Sequence, residues 1–199
     1  MAGLTNNGVP GAAARRHPGV EKAALGLLLA LAAATASRAP ATVLASLAAL
    51  AAVGHVVRWW LWQPWTTLRT PLVGVLHLAY LWVPVHLALR ALAALGVVAP
   101  STAVHALTVG AMGGLIIGMM TRTARGHTGR PLRADRFDVA SYVLVALAAV
   151  VRVALPLLAP ELTLLAVELS ALAWSAAFAL YALRYAPSLW RARADGKPG

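Results

Sequence analysis

Six histidines and no cysteine set the metal and redox chemistry open to this chain. Without a thiol, disulfides, thiolate metal sites, iron–sulfur clusters and haem attachment through Cys-x-x-Cys-His are excluded. Imidazole, thioether, phenol and carboxylate remain, and imidazole is the commonest of these as a ligand for haem and copper. His55, His77, His86 and His105 fall inside apolar runs, and His127 follows one. His17 lies in a polar arm beside Arg15 and Arg16, where solvation accounts for it. An ionisable group in a hydrophobic run is costly and marks function by default, although a histidine there also serves as a hydrogen-bonding group between helices. Apolar surroundings favour neutral imidazole, the form that binds metal.

Depth separates these histidines into two groups. At about 1.5 Å of rise per residue, His55 and His77 lie roughly 10 Å from one end of their helices. His127 falls at that same end, and His105 begins a helix at the other. His77 and His105 are therefore expected to serve separate sites. His86 follows His77 by nine positions, about 180° around a helix, so the two face opposite ways.

Arg90, Arg152 and Glu168 lie within apolar runs on the His105 side. A lone buried charge costs several kcal/mol, so Glu168 is expected to pair with Arg90 or Arg152. An anion path, or contact with haem propionates, is the alternative use of those charges. No Gly-x-Ser-x-Gly, phosphate loop, His-Glu-x-x-His or carboxylate pair is present, and no catalytic residue is assigned.

Six apolar segments position these residues. They run from Lys22 to Ser37, Ala39 to Trp62, Pro71 to Val98, Thr102 to Thr123, Asp138 to Leu158 and Glu161 to Tyr185. Proline-containing breaks separate most of them, and the gap from Arg122 to Asp138 is arginine-rich. Hydrophobic residues make up 60% of the chain and charged residues only 12%, with mean hydropathy +0.74. Soluble domains carry about 25% charged residues, so the expected fold is an all-α, polytopic transmembrane bundle of six spans. Residues 1–20 then form an extramembrane arm, 21–186 the membrane domain and 187–199 a tail. Arg15-Arg16, the first apolar run and Ala34-Thr35-Ala36 also have the form of a signal peptide, but the run is long and later helices need no cleaved leader.

The net charge of +11 follows from topology rather than from a nucleic-acid surface. Of the 17 lysines and arginines, all but Arg38, Arg90 and Arg152 lie on or beside the side that holds both termini. The positive-inside rule places that side in the cytoplasm. Trp59, Trp60, Trp62 and Trp65 then read as an interfacial belt. Ala106, Gly110, Gly114 and Gly118, spaced by four, read as a close-packing stripe, open to a helix outside this chain.

His105-Ala106-Leu107-Thr108-Val109-Gly110-Ala111, Met120-Thr121-Arg122 and Gly126-His127-Thr128-Gly129-Arg130-Pro131-Leu132 together resemble the signature of NnrS proteins. Pro71-Leu72 with Leu76-His77-Leu78-Ala79-Tyr80-Leu81-Trp82 is similar to the segment that precedes it there. The stretch from Ala173-Trp174 through Arg184-Tyr185-Ala186-Pro187 to Gly199, and Thr5-Asn6-Asn7 with Pro10-Gly11, resemble further parts of that family. The resemblance implies an inner-membrane protein associated with haem and copper, linked to nitric oxide metabolism and protection from nitrosative stress. It favours His77, His105 and His127 as cofactor-binding residues, His77 and His105 among them as metal ligands, over His55 and His86. Tyr80, Gly110, Arg122, Gly126, Gly129, Arg130 and Pro131 are its other motif positions. NnrS proteins usually carry about twice as many spans, so besides the lipid bilayer the expected partner is another copy or a missing N-terminal half. A transporter built on the intramembrane charges, and a folded fragment that binds nothing, are the competing readings.

Overall fold

The computed structural model describes residues 14–196, so Thr5-Asn6-Asn7, Pro10-Gly11 and the end of the tail from Lys197 lie outside it. Among the described residues, six helices are long and apolar enough to cross a membrane. They are α1 (Pro18–Ala36), α2 (Ala41–Leu61), α3 (Pro71–Ala94), α4 (Pro100–His127), α5 (Arg136–Leu158) and α6 (Thr163–Leu189). Single 3-10 turns, Pro64–Thr67 and Pro160–Leu162, lead into α3 and α6. Among the described residues there is no strand, and the fold is an all-helical membrane bundle.

Proline explains half of these starts. Pro18, Pro71 and Pro100 occupy first turns, where the missing N–H removes no helical bond. Pro84, Pro156 and Pro187 instead sit inside helices, as membrane helices tolerate. The helical region thus extends past both expected limits, beginning at Pro18 and ending at Leu189. The last turn persists beyond Pro187 because Tyr185 and Ser188 are buried there, so packing holds what the proline weakens.

The middle of the bundle is α3 and α4. Their apolar windows are 56% and 44% buried, against 11% for α1 and 17% for α6, which therefore turn most of their surface outward. One core cluster joins α1, α2 and α3 through Leu31, Ala45, Ala48, Ala51, Ala52, Leu87 and Ala91. A second joins α3 to α6 through Val75, Leu76, Ile117, Tyr142, Val145 and Ala177. Alanine dominates the first because lipid offers no hydrophobic drive between helices, and small residues gain dispersion contact by close approach, whereas the second is built on larger side chains.

The small-residue stripe of α4 finds its partner inside the chain. A Cβ on Gly114 would fall 2.7 Å from the Cβ of Ala79, and one on Gly118 would fall 2.8 Å from Val75. Gly110 lies under the indole of Trp82, also on α3. The helix is not regular along this stripe, since Ala106–Met112 is π-helical. The wider turn changes the register, and Gly113 meets Trp174 of α6.

Backbone bonds tie each terminal segment to the end of another helix. Arg15 N–H donates to the Leu61 carbonyl, and Ala194 N–H donates to that of Thr128. Both terminal segments therefore share the arginine-rich end of the bundle with the α2–α3 and α4–α5 links.

Candidate functional site

His77 stands one and a half turns into α3, with 5% of its surface exposed. Neither of its ring nitrogens has a hydrogen bond among the described residues, although Trp59 Nε1 donates to its backbone carbonyl at 2.9 Å. Its ring lines a groove of about 590 Å³ between α3 and α5, closed at the arginine-rich end by the Pro64–Thr67 turn. Leu78, Val143, Ala146, Leu147 and Val150 make the walls apolar, and Trp59 and Trp65 flank the mouth. The Tyr142 hydroxyl on the same wall is buried without a hydrogen bond of good geometry, because its neighbour Thr121 donates to the Ile117 carbonyl.

Behind His77 lies a polar cluster on α1, α2 and α3. The Tyr80 hydroxyl and His55 Nδ1 are 2.6 Å apart, Arg58 Nη1 donates to Tyr80 at 3.3 Å, and Arg58 Nη2 pairs with Glu21 at 2.6 Å. Trp62 packs 4.7 Å from the Tyr80 ring and edge-on to His77, with the Arg58 guanidinium 5.0 Å above its own ring. The expected tryptophan belt therefore divides. Trp60 and Trp65 are exposed and pack on one another at a tilt, 4.8 Å between centroids, whereas Trp62 is buried and Trp59 is bonded to α3.

A second constellation holds α4, α5 and α6 together. Asp135 and Asp138 cap α5 reciprocally, each carboxylate accepting a backbone N–H from the other residue. Arg125, 6% exposed, reaches Asp138 through Nε and Nη2 and Asp135 through Nη2. Tyr185 donates to Asp138 at 2.7 Å, and Arg184 donates twice to Asp135. Burial alone would raise the Asp135 carboxyl. The bonds from Arg184 and from the N–H groups of Asp138 and Phe137 outweigh it and hold the group below the usual carboxylate range. The link between α4 and α5 receives the tail: Arg193 donates to the His127 carbonyl, and the Asp195 side chain sits against Gly129. Gly129 has φ +67, a left-handed conformation that suits glycine, and a Cβ there would meet Asp195. His127 itself is exposed, on the rim of a cavity of about 380 Å³ shared with Met119, Met120 and Tyr181.

At the opposite end the expected ion pair is absent. Arg90 donates to the Thr35 hydroxyl at 2.7 Å, and Arg152 donates to His105 Nε2. Glu168 is exposed on α6 with no ion pair among the described residues. Helical phase explains the difference: Ala166 and Ser170 carry the buried face of α6, and Glu168, midway between them, points outward. His86 faces away from the groove, as its nine-residue offset from His77 requires, and donates to the Ala103 carbonyl at 2.7 Å.

A family model described as NnrS protein matches residues 1–193, nearly the whole chain. The chain belongs to the NnrS family. No curated protein and no solved structure matches it.

The positions that the sequence resemblance singled out fall at three places in this fold. His77 and Tyr80 form the groove wall and the cluster behind it, while Gly110 gives α4 its contact with α3. Gly126, His127, Gly129, Arg130 and Pro131 end α4 and begin the link on which the tail docks, and Arg122 is half-buried one turn earlier. His77, His105 and His127 are not brought together. Among the described residues no group of three or more His, Asp or Glu could hold a metal ion. His55, which the motif comparison ranked below the others, is joined to Tyr80. Its position 25 residues before a tyrosine carried no local signal. The Asp135-x-x-Asp138 spacing was the one visible trace of the Arg125 network, as a capping box.

Proposed function

We propose that this NnrS-family chain binds a haem-type planar cofactor in the groove between α3 and α5, which His77 would hold through its imidazole, and acts in nitric oxide metabolism or protection from nitrosative stress. The observation that carries this reading is a buried imidazole, without a hydrogen bond among the described residues, on the wall of an apolar groove of about 590 Å³. Sites for small molecules and cofactors are commonly of this size and character. The residues fit such a group: neutral imidazole offers a lone pair, the Trp59 bond fixes the backbone that carries it, and the leucine and valine walls exclude water. A bound haem supplies an iron centre that takes up diatomic ligands and exchanges single electrons.

His105 fits a ligand role less well, because its Nε2 lone pair already accepts from Arg152. For copper, the described residues supply no three-member His or carboxylate set, but His127 shares its cavity with the thioethers of Met119 and Met120. Soft sulfur and imidazole together suit Cu(I). Arginine asymmetry favours a cytoplasmic-membrane protein with both termini inside. A partner, either a second copy or an N-terminal half, is supported by Glu168, since a carboxylate facing hydrocarbon is costly and a covering helix would relieve it. Absorbance and metal analysis of the detergent-purified protein test the reading. Haem absorbance in the unmodified chain, reduced by His77→Ala and kept by His105→Ala, is the expected outcome. Equal haem content in all three contradicts it.

A further inference from the structure

Two opposite charges stand on the bundle surface at the end away from the arginine-rich links, each without an ion pair among the described residues. Glu168 lies five residues into α6 and Arg90 four residues before the end of α3. At 1.5 Å of rise per residue, both are about 6–8 Å inside that end. Glu168 is exposed. The half-exposed Arg90 guanidinium donates to the Thr35 hydroxyl of α1, itself exposed, and a neutral partner leaves its charge uncancelled. Arg152 differs, because His105 of α4 turns it into the bundle.

The two charges mark separate edges of the bundle, since α1 packs on α2 whereas α6 packs on α5 and α4. Small residues surround each of them. In line with Glu168, the outward face of α6 carries Ala171, Ser175 and Ala179, all exposed at helical spacing. Around Thr35, the exposed residues of α1 are Ala32, Ala33 and Ala36. Such surfaces gain little against lipid but let two helices approach closely. A lone carboxylate facing hydrocarbon is costly, and a cation at its own depth relieves it. Copies inserted with the same arginine bias share one orientation, so Glu168 of one chain and Arg90 of another stand at the same depth. A second copy therefore matches this face in sign of charge, in depth and in surface shape.

We propose that the α6 edge docks against the α1–α3 edge of a second copy, with Glu168 of one chain paired to Arg90 of the other. The contact joins unlike surfaces, and it closes when two copies exchange it reciprocally about an axis along the membrane normal. This rests on the partner reading above, from which it selects the second copy. It does not involve the cofactor, because neither Glu168 nor Arg90 lines the His77 groove.

The test uses the full chain in phosphatidylcholine liposomes, labelled at one cysteine appended after Gly199, since the sequence has no other. Förster transfer between donor- and acceptor-labelled chains, read against protein density, measures association. Haem absorbance is read on the same samples. A monomeric chain that takes up haem fails this inference alone, and an associating chain without haem fails only the cofactor reading. The unmodified chain should show saturable transfer, and Glu168→Gln should associate about tenfold more weakly, because one charge-assisted contact is lost. Glu168→Arg and Arg90→Glu each set like charges against one another, so each alone should show no transfer. Mixed together they should associate again, because both contacts then join opposite charges, and that recovery also shows that both variants are folded. An unmodified chain that stays monomeric overturns the inference and leaves an N-terminal half as the occupant. Undiminished association of Glu168→Gln, or a mixture of the two reversed variants that fails to associate, overturns it as well.

Discussion

Replacing Asp138 with asparagine tests how much of this bundle depends on one buried charge. The carboxylate is 3% exposed and accepts from Arg125 twice, from the Tyr185 hydroxyl and from the Asp135 N–H. Asparagine keeps the shape but leaves the Arg125 guanidinium buried without its main counter-charge. Removing one member of a buried pair costs about 3–5 kcal/mol. Asp135 still accepts from Arg125, so the loss should fall near the lower end, about 3 kcal/mol, or over a hundredfold in the folding equilibrium. Titration from mild detergent into sodium dodecyl sulfate, followed by helical circular dichroism, reads this directly. The double change Arg125→Met with Asp138→Leu removes both charges and should recover more than half of the summed losses of Arg125→Met and Asp138→Leu made singly, because apolar replacement of a whole pair is nearly neutral. Wild-type stability in Asp138→Asn, or strictly additive losses in the cycle, would refute the reasoning.

Gly114→Ala should destabilise the chain by about 1–3 kcal/mol through collision with Ala79, whereas Gly26→Ala, with open space around it, should be neutral in the same titration. The Asp135 carboxyl is held low in the folded state, so its contribution is complete above about pH 4 and is lost as pH falls through the lowered folded value. Comparing acid unfolding of Asp135→Asn with the unmodified chain should show a smaller loss of stability in that window, and identical acid profiles would contradict it. A reporter fused after Gly199 should be active only in its cytoplasmic form, and activity confined to the periplasmic form would reverse the proposed orientation.

The six crossings were legible because each is a long apolar run between prolines and arginines, and α3 begins at the expected Pro71. Opposite placement of His77 and His86 followed from helical phase alone. The Glu168 expectation failed because depth was read and facing was not: Ala166 and Ser170 define the buried side of α6. The irregular turn at Ala106–Met112 was invisible, since small residues at a spacing of four look the same whether the helix is regular or widened. The polar contacts between helices were beyond any local pattern. Tyr185 meets Asp138 across 47 residues and His55 meets Tyr80 across 25, and no periodicity encodes such a meeting. The dual fate of the tryptophans has the same origin, because composition locates an interface but does not distinguish Trp62, packed on Tyr80, from exposed Trp60.

The central claim is that the His77 imidazole donates to a cofactor in the groove between α3 and α5. The most direct measurement is the absorbance spectrum of His77→Gly, reconstituted with haem in detergent and titrated with free imidazole, in the six-span chain and in its assembly with an N-terminal half. A glycine at this position opens the space that the ring filled, so added imidazole can replace the ligand without restoring the side chain. The account predicts that haem absorbance characteristic of histidine ligation is lost in His77→Gly and returns with saturating imidazole. It is contradicted if His77→Gly shows the unmodified spectrum before imidazole is added, or if neither the unmodified chain nor its assembly takes up haem.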